Sequence, residues 1–160
     1  MASTGLTVGD KAPEFSLPRD GGETVALSDY QGKQVVLFFY PRDDTSGCTK
    51  EAIGFSEHLD AFKAADAVVL GLSKDSITAH NKFRDKHGLR VALLSDETTD
   101  ICEQYGTWVE KKMYGKTFMG IERSTFLIGA DGHVVQIWRK VKVPGHVDEV
   151  LAAVTEKPNK

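Results

Sequence analysis

The chain has 160 residues, of which 41% are hydrophobic and 27% charged, with a formal net charge of −3 at pH 7. That length bounds it to one domain, 1–160, with enough apolar material for a core of its own. Slight acidity gives no global attraction to nucleic acid or an anionic membrane, and no stretch approaches the ~18 apolar residues of a membrane span.

From the N-terminus, Met1 to Gly5 carry neither the basic nor the apolar region of a secretory leader, so a cytoplasmic location is expected. Phe15 to Leu17 and Thr24 to Leu27, joined across Asp20-Gly21-Gly22, read as a peripheral hairpin. Ser28 to Gly32 form a turn before Val35 to Tyr40, an apolar run that reads as a buried strand stopped by Pro41. Ala52, Ile53, Phe55, Leu59 and Phe62 have helical spacing and predict a helix from about Cys48 to Ala65. Ala67 to Leu72 is the next strand. Asp75 or Ser76 caps a second helix that Gly88 ends, and Val91 to Leu94 is a third strand. Asp96 to Tyr105 reads as a helix, and the segment around Met113 to Gly120 as a loop. Ser124 to Ile128 and His133 to Arg139 flank a turn at Gly129 to Gly132. A last helix opens at Gly145-His146 with Val147, Val150, Leu151 and Val154 on one face. Alternating strands and helices followed by a hairpin predict an α/β fold with a mixed sheet.

One stretch stands apart, Phe38 to Glu51. A cysteine by itself is commonly a small core hydrophobe. Cys48, however, follows a polar loop at the end of a central strand, in the first turn of a predicted helix. The N–H groups there are unsatisfied and favour negative charge, hence thiolate over thiol. Cys102, in Asp100 to Tyr105, reads as a helix-face core residue. Two cysteines make no disulfide scaffold, and there is no Cys-x-x-Cys. His58, His80, His87, His133 and His146 are dispersed without ligand spacing, so no metal site is expected.

Pro41, Thr45 and Cys48 have the Pro-x-x-x-Thr-x-x-Cys spacing of the peroxiredoxins, which the stretch resembles. With Met113 to Lys116, Gly120 to Phe126 and Trp138 to Val141, the chain is similar to the peroxiredoxin Q, or bacterioferritin comigratory protein, subfamily over nearly its whole length. The resemblance implies a thioredoxin-like fold, a central mixed β-sheet flanked by helices with an N-terminal β-hairpin. It also implies a thiol-dependent peroxidase that reduces hydrogen peroxide and organic hydroperoxides without metal, flavin or haem.

In that setting Cys48 is the nucleophile that becomes sulfenic acid. Thr45 is expected to accept from an amide and donate to a peroxide oxygen, and Arg123 to lie against the thiolate from a neighbouring strand. Pro41 is expected to pack over the thiol, and Tyr40 and the Gly47 N–H to line the substrate pocket. Ser46 stands where many members have Pro, and its hydroxyl is expected to cap the helix. Many members carry a resolving cysteine five residues after the first, where this chain has Ile53. Others carry it on the following helix, near Phe83 to Asp85, which holds none. A one-cysteine cycle is therefore expected, with the reductant an external thiol: thioredoxin, glutaredoxin or a small thiol. Cys102 is the alternative resolver, and a non-catalytic thioredoxin-fold binding or holdase module the rival function. Lys111-Lys112 and Arg139-Lys140 with Lys142 read as solvated faces or as the side that meets an acidic reductant. No exposed apolar helix or long naked edge strand stands out, so a monomer is expected.

Overall fold

The computed structural model describes residues 6–155, so the leader reading at Met1 to Gly5 lies outside the described residues. β1 (Ser16–Pro18) and β2 (Thr24–Ala26) pair as the N-terminal hairpin, and a single 3-10 turn, Leu27–Tyr30, follows. β3 (Gln34–Phe39) leads to α1 (Ser46–Glu57) and α2 (Leu59–Ala64). β4 (Ala67–Ser73), α3 (Ile77–His87), β5 (Ala92–Ser95) and the short α4 (Ile101–Gln104) come next. A second hairpin, β6 (Trp108–Met113) and β7 (Lys116–Ile121), precedes β8 (Ser124–Ile128), β9 (Val134–Trp138) and α5 (His146–Thr155).

The central sheet has the order β5-β4-β3-β8-β9. β3 runs parallel to β4, β4 parallel to β5, and β8 antiparallel to both β3 and β9. β3 is buried along its whole length, as a central strand covered on both faces must be, which is why it reads as an unbroken apolar run. Its residues alternate between two cores. Val35, Leu37 and Phe39 join Leu17, Val25, Cys102 and Tyr105 beneath the N-terminal hairpin and α4. Val36, Phe38 and Tyr40 join Cys48, Phe55, Phe62, Phe83 and Val150 beneath α1, α2, α3 and α5. Gly71 on β4 makes that second core possible. A Cβ there would come within 2.7 Å of the Phe38 ring, which stacks on Phe55 at 4.6 Å.

Three expected elements differ. The long helix begins at Ser46 and breaks at His58, whose backbone leaves the helical region; its ring stays on the Gly54 carbonyl. Of Asp96 to Tyr105 only Ile101–Gln104 is helical. Asp96 folds the preceding turn around its carboxylate, which accepts from the Ile101 and Cys102 N–H groups and from the Thr99 hydroxyl. The expected loop at Met113 to Gly120 is most of the β6–β7 hairpin. Tyr114 and Gly115 both take positive φ, at 54° and 77°, which is the geometry of a tight type I′ connection.

Candidate active site

The site forms where three pieces of chain meet at the end of β3. Pairing of Phe39 with Ser124 brings Arg123, the residue before β8, beside the point where Pro41 takes the chain off the sheet. The loop Pro41 to Thr45 then turns into α1. Cys48 is the third residue of that helix and is 1% exposed.

The Arg123 guanidinium donates from Nη2 to Cys48 Sγ at 3.3 Å and from Nη1 to Glu51 Oε1 at 2.7 Å. The planar fork thereby reaches the sulfur and the carboxyl together, which a lysine could not do. Gly47 leaves space for it, since a Cβ there would sit 3.0 Å from Nη2. Glu51, three residues after Cys48, shares its helix face. Burial pushes the Glu51 carboxyl up to about 7, and the attraction of Arg123 only partly offsets that. Oε2 of Glu51 is buried without a hydrogen-bond partner. One cation thus bridges the Cys48 sulfur and the Glu51 carboxyl.

Behind Arg123, the Thr125 hydroxyl pairs with Nε2 of His146 at 2.8 Å. Burial holds that imidazole down at about 4, with Arg123 acting in the same sense, so it is neutral at pH 7.

The other expected residues are placed as follows. Thr45 is the N-cap residue, and its carbonyl accepts from the Thr49 N–H at 2.8 Å. Its hydroxyl accepts from no amide; it donates to the Arg42 carbonyl at 3.0 Å. Ser46 is the first helical residue, and no side chain caps the helix, so the first-turn N–H groups stay open toward the site. Pro41 is exposed at the head of the loop. Tyr40 is buried and its hydroxyl donates to Asp43 Oδ1 at 2.6 Å, which turns it toward the loop's underside.

That underside is a clasp the residue pattern did not reveal. His80 on α3 is fully buried, with Nδ1 on Asp43 Oδ2 at 2.6 Å and Nε2 on the Leu94 carbonyl at 2.9 Å. Burial opposes a charge on this ring, but the hydrogen bond and charge of Asp43 outweigh it and raise its pKa. The Asp43 N–H donates to Asp75, and Asp44, held at φ 62°, pairs with Lys86 and His87. Asp43, Asp75 and His80 lie close enough to suggest a cation site. Their hydrogen bonds tie the loop before α1 to α3.

Cys102 is as buried as Cys48 but belongs to the core on the opposite face of the sheet. Burial raises its thiol pKa, and the neighbouring Asp96 carboxylate raises it further.

The sequence matches the AhpC/TSA family over residues 8–137. Peroxiredoxin Bcp of Bacillus subtilis is 48% identical over 97% of this chain and 99% of its own length. Peroxiredoxin Bcp of Escherichia coli K12 is 45% identical over 91% and 94%. Among solved structures, the bacterioferritin comigratory protein of Xanthomonas campestris superposes with a TM-score of 0.87 at 42% identity, covering 96% of this chain and 98% of that one. That protein was studied for alkyl peroxide reduction through trapped intermediate and ligand complexes. A family match over most of the chain, relatives of this identity and the shared fold converge: the chain belongs to the AhpC/TSA family, as a thiol-dependent hydroperoxide reductase of the peroxiredoxin Q/Bcp kind.

Proposed function

We propose that Cys48 is the nucleophile of this peroxidase, served by Arg123, Thr45, Pro41 and the first-turn N–H groups of α1, and that it works in a one-cysteine cycle. The observation that carries the assignment is the Arg123 guanidinium 3.3 Å from Cys48 Sγ at a helix start.

The thiolate forms an S–O bond with one peroxide oxygen while the O–O bond breaks. Sulfur is oxidised by two electrons to sulfenic acid, and the other oxygen leaves as hydroxide or alkoxide and takes a proton. Charge grows on the leaving oxygen, and the Arg123 guanidinium beside the sulfur, with the Gly47 and Cys48 N–H groups of the first turn, supports the reading that donors meet it there. With its proton on the Arg42 carbonyl, the Thr45 oxygen is left as an acceptor that a peroxide O–H could use. Pro41 starts the loop without an N–H of its own to compete. Hydrogen peroxide and alkyl hydroperoxides both fit this chemistry, and the alkyl peroxide activity of the X. campestris relative supports the second.

An external thiol then attacks the sulfenic sulfur and expels water, and a second thiol reduces the mixed disulfide. Support for an external resolver is the placement of Cys102 across the sheet from Cys48, with a thiol held protonated. The same reading takes the chain as one domain that acts as a cytoplasmic monomer; sedimentation tests the oligomeric part.

The deciding experiment is intact mass after one equivalent of peroxide, with a sulfenic-acid trap, on wild type, Cys48→Ser and Cys102→Ser. Wild type and Cys102→Ser are expected to gain one oxygen or one trap adduct, and Cys48→Ser neither. A loss of two hydrogens in wild type, absent together with turnover in Cys102→Ser, overturns the one-cysteine cycle.

A further inference from the structure

Four of the six large hydrophobic side chains found exposed among the described residues lie in the β6–β7 hairpin: Met113, Tyr114, Phe118 and Met119. Tyr114, at the turn, is 95% exposed. The hairpin is a separate two-stranded sheet, so none of this apolar surface serves the central sheet. Surface of this kind, concentrated on one projecting element, marks an interaction site.

Its position is not arbitrary. β7 runs within two residues of Arg123. Lys111, which lies opposite Phe118 in the register, folds back to donate from Nζ to the Ile121 carbonyl, and burial and the nearby Arg123 charge lower its pKa. A second segment flanks the same site. The Val141 N–H donates to the Arg123 carbonyl at 3.0 Å, and Val143 lies 3.9 Å from where a Gly47 Cβ would be.

The charges on these two segments are one-sided. Lys116 on the hairpin face that also carries Lys111, Met113 and Phe118, and Arg139, Lys140 and Lys142 on the second segment, are all exposed, against the half-buried Glu122; Lys112 and Glu110 lie on the hairpin's other face. A chain of net charge −3 therefore presents a cationic rim and an apolar projection around its reactive thiol.

We propose that this face is the docking surface for the reductant, a thiol-bearing protein with an acidic rim and an apolar patch beside its own thiol. The inference rests on the external-thiol cycle above and names the partner that cycle requires. A small thiol needs no apolar platform, whereas a protein must be held while its sulfur reaches a thiol that is 1% exposed. Opposite charge steers the encounter, and a small apolar contact suits a partner that must leave again.

The test compares three rates in wild type, in Lys116→Glu/Lys142→Glu and in Met113→Ser/Tyr114→Ser. These are oxidation of Cys48 by hydrogen peroxide, reduction of its sulfenic acid by dithiothreitol, and reduction by an acidic thioredoxin. Charge reversal is expected to slow the thioredoxin step about tenfold or more at low ionic strength, with the deficit shrinking as salt is added. The apolar pair is expected to slow it about fivefold at all salt concentrations. Peroxide and dithiothreitol rates are expected to stay within about twofold of wild type. Thioredoxin rates unchanged in both variants, parallel losses with dithiothreitol, or no reduction of wild type by thioredoxin would each overturn the proposal. So would a wild-type dimer that Met113→Ser/Tyr114→Ser dissociates, since the surface would then serve a second copy of the chain. Failure of the external-thiol cycle reads out separately, as the loss of two hydrogens before any reductant is added.

Discussion

Cys48 and Cys102 are the same residue at the same burial, 1% and 0% exposed, on opposite faces of one sheet. Beside Cys48 stand a guanidinium and an open helix start; beside Cys102 stands the Asp96 carboxylate. Burial is the same at both positions, so it cannot be what separates them. What differs is the group set beside each sulfur. On the proposed reading, the thiol with oriented donors beside it is the one that reacts, and the second is held as part of the core.

The largest change should follow from taking away the cation. Arg123→Ala is expected to slow peroxide reduction on the order of a thousandfold, read as the second-order rate of Cys48 oxidation. Arg123→Lys should recover part of the loss by restoring charge without the fork that spans Cys48 and Glu51. A change within about twofold for Arg123→Ala would remove the distinction between the two thiols.

Thr45→Val keeps the shape of the loop and removes the hydroxyl proposed to accept the peroxide O–H. A fall of about a hundredfold in the same rate is expected, with Tm little changed. Loss of rate and thermal stability together would mark Thr45 as holding the loop through Arg42 and nothing more.

Gly47→Ala tests the space that Arg123 uses. The new Cβ would press on Nη2 from 3.0 Å, displacing the guanidinium by a few tenths of an ångström, and about a tenfold loss is expected. Cys102→Ser, placed on the other face, should not move this rate at all.

The smallest expected effects are in stability against pH. Glu51, raised from 4.5 to about 7, keeps its proton better folded than unfolded. Its contribution is present below 4.5 and is lost as pH rises through about 7. His146, lowered from 6.5 to about 4, acts in the opposite sense. Its contribution is present above 6.5 and is lost as pH falls through about 4. Between pH 4.5 and 6.5 the two slopes oppose. Glu51→Gln should therefore make Tm rise more steeply with pH across that window, and His146→Asn should make it fall. Slopes equal to wild type in both variants would show that neither group titrates as its burial dictates.

Much of this was legible in the sequence because it depends on neighbours in the chain. The apolar run of β3, the Ser76 and Gly88 ends of α3 and the strand–loop–helix setting of Cys48 are all local patterns, and each was found where expected. Glu51 was within reach, since three residues from Cys48 on a helix is one face. The Asp43–His80 clasp was not, because 37 residues separate its members and only the packing of α3 against the loop joins them. The β6–β7 hairpin was missed for another reason. Neither of its faces is fully covered, so its strands carry lysine and methionine without the alternation a half-buried strand shows. Only Gly115 hinted at its turn. Asp96 misled by being a good helix opener whose carboxylate instead gathers a turn around itself.

The seclusion of Cys102 gives the protein a built-in clock. A thiol-alkylating reagent reaches that sulfur only when the region under the N-terminal hairpin and α4 opens. With Cys48 replaced by serine, the labelling rate becomes the open fraction multiplied by the reagent's intrinsic rate, so it measures the free energy of that opening in native buffer. The labelling rate can then be followed across temperature, denaturant or a change of pH, without adding a probe to the chain.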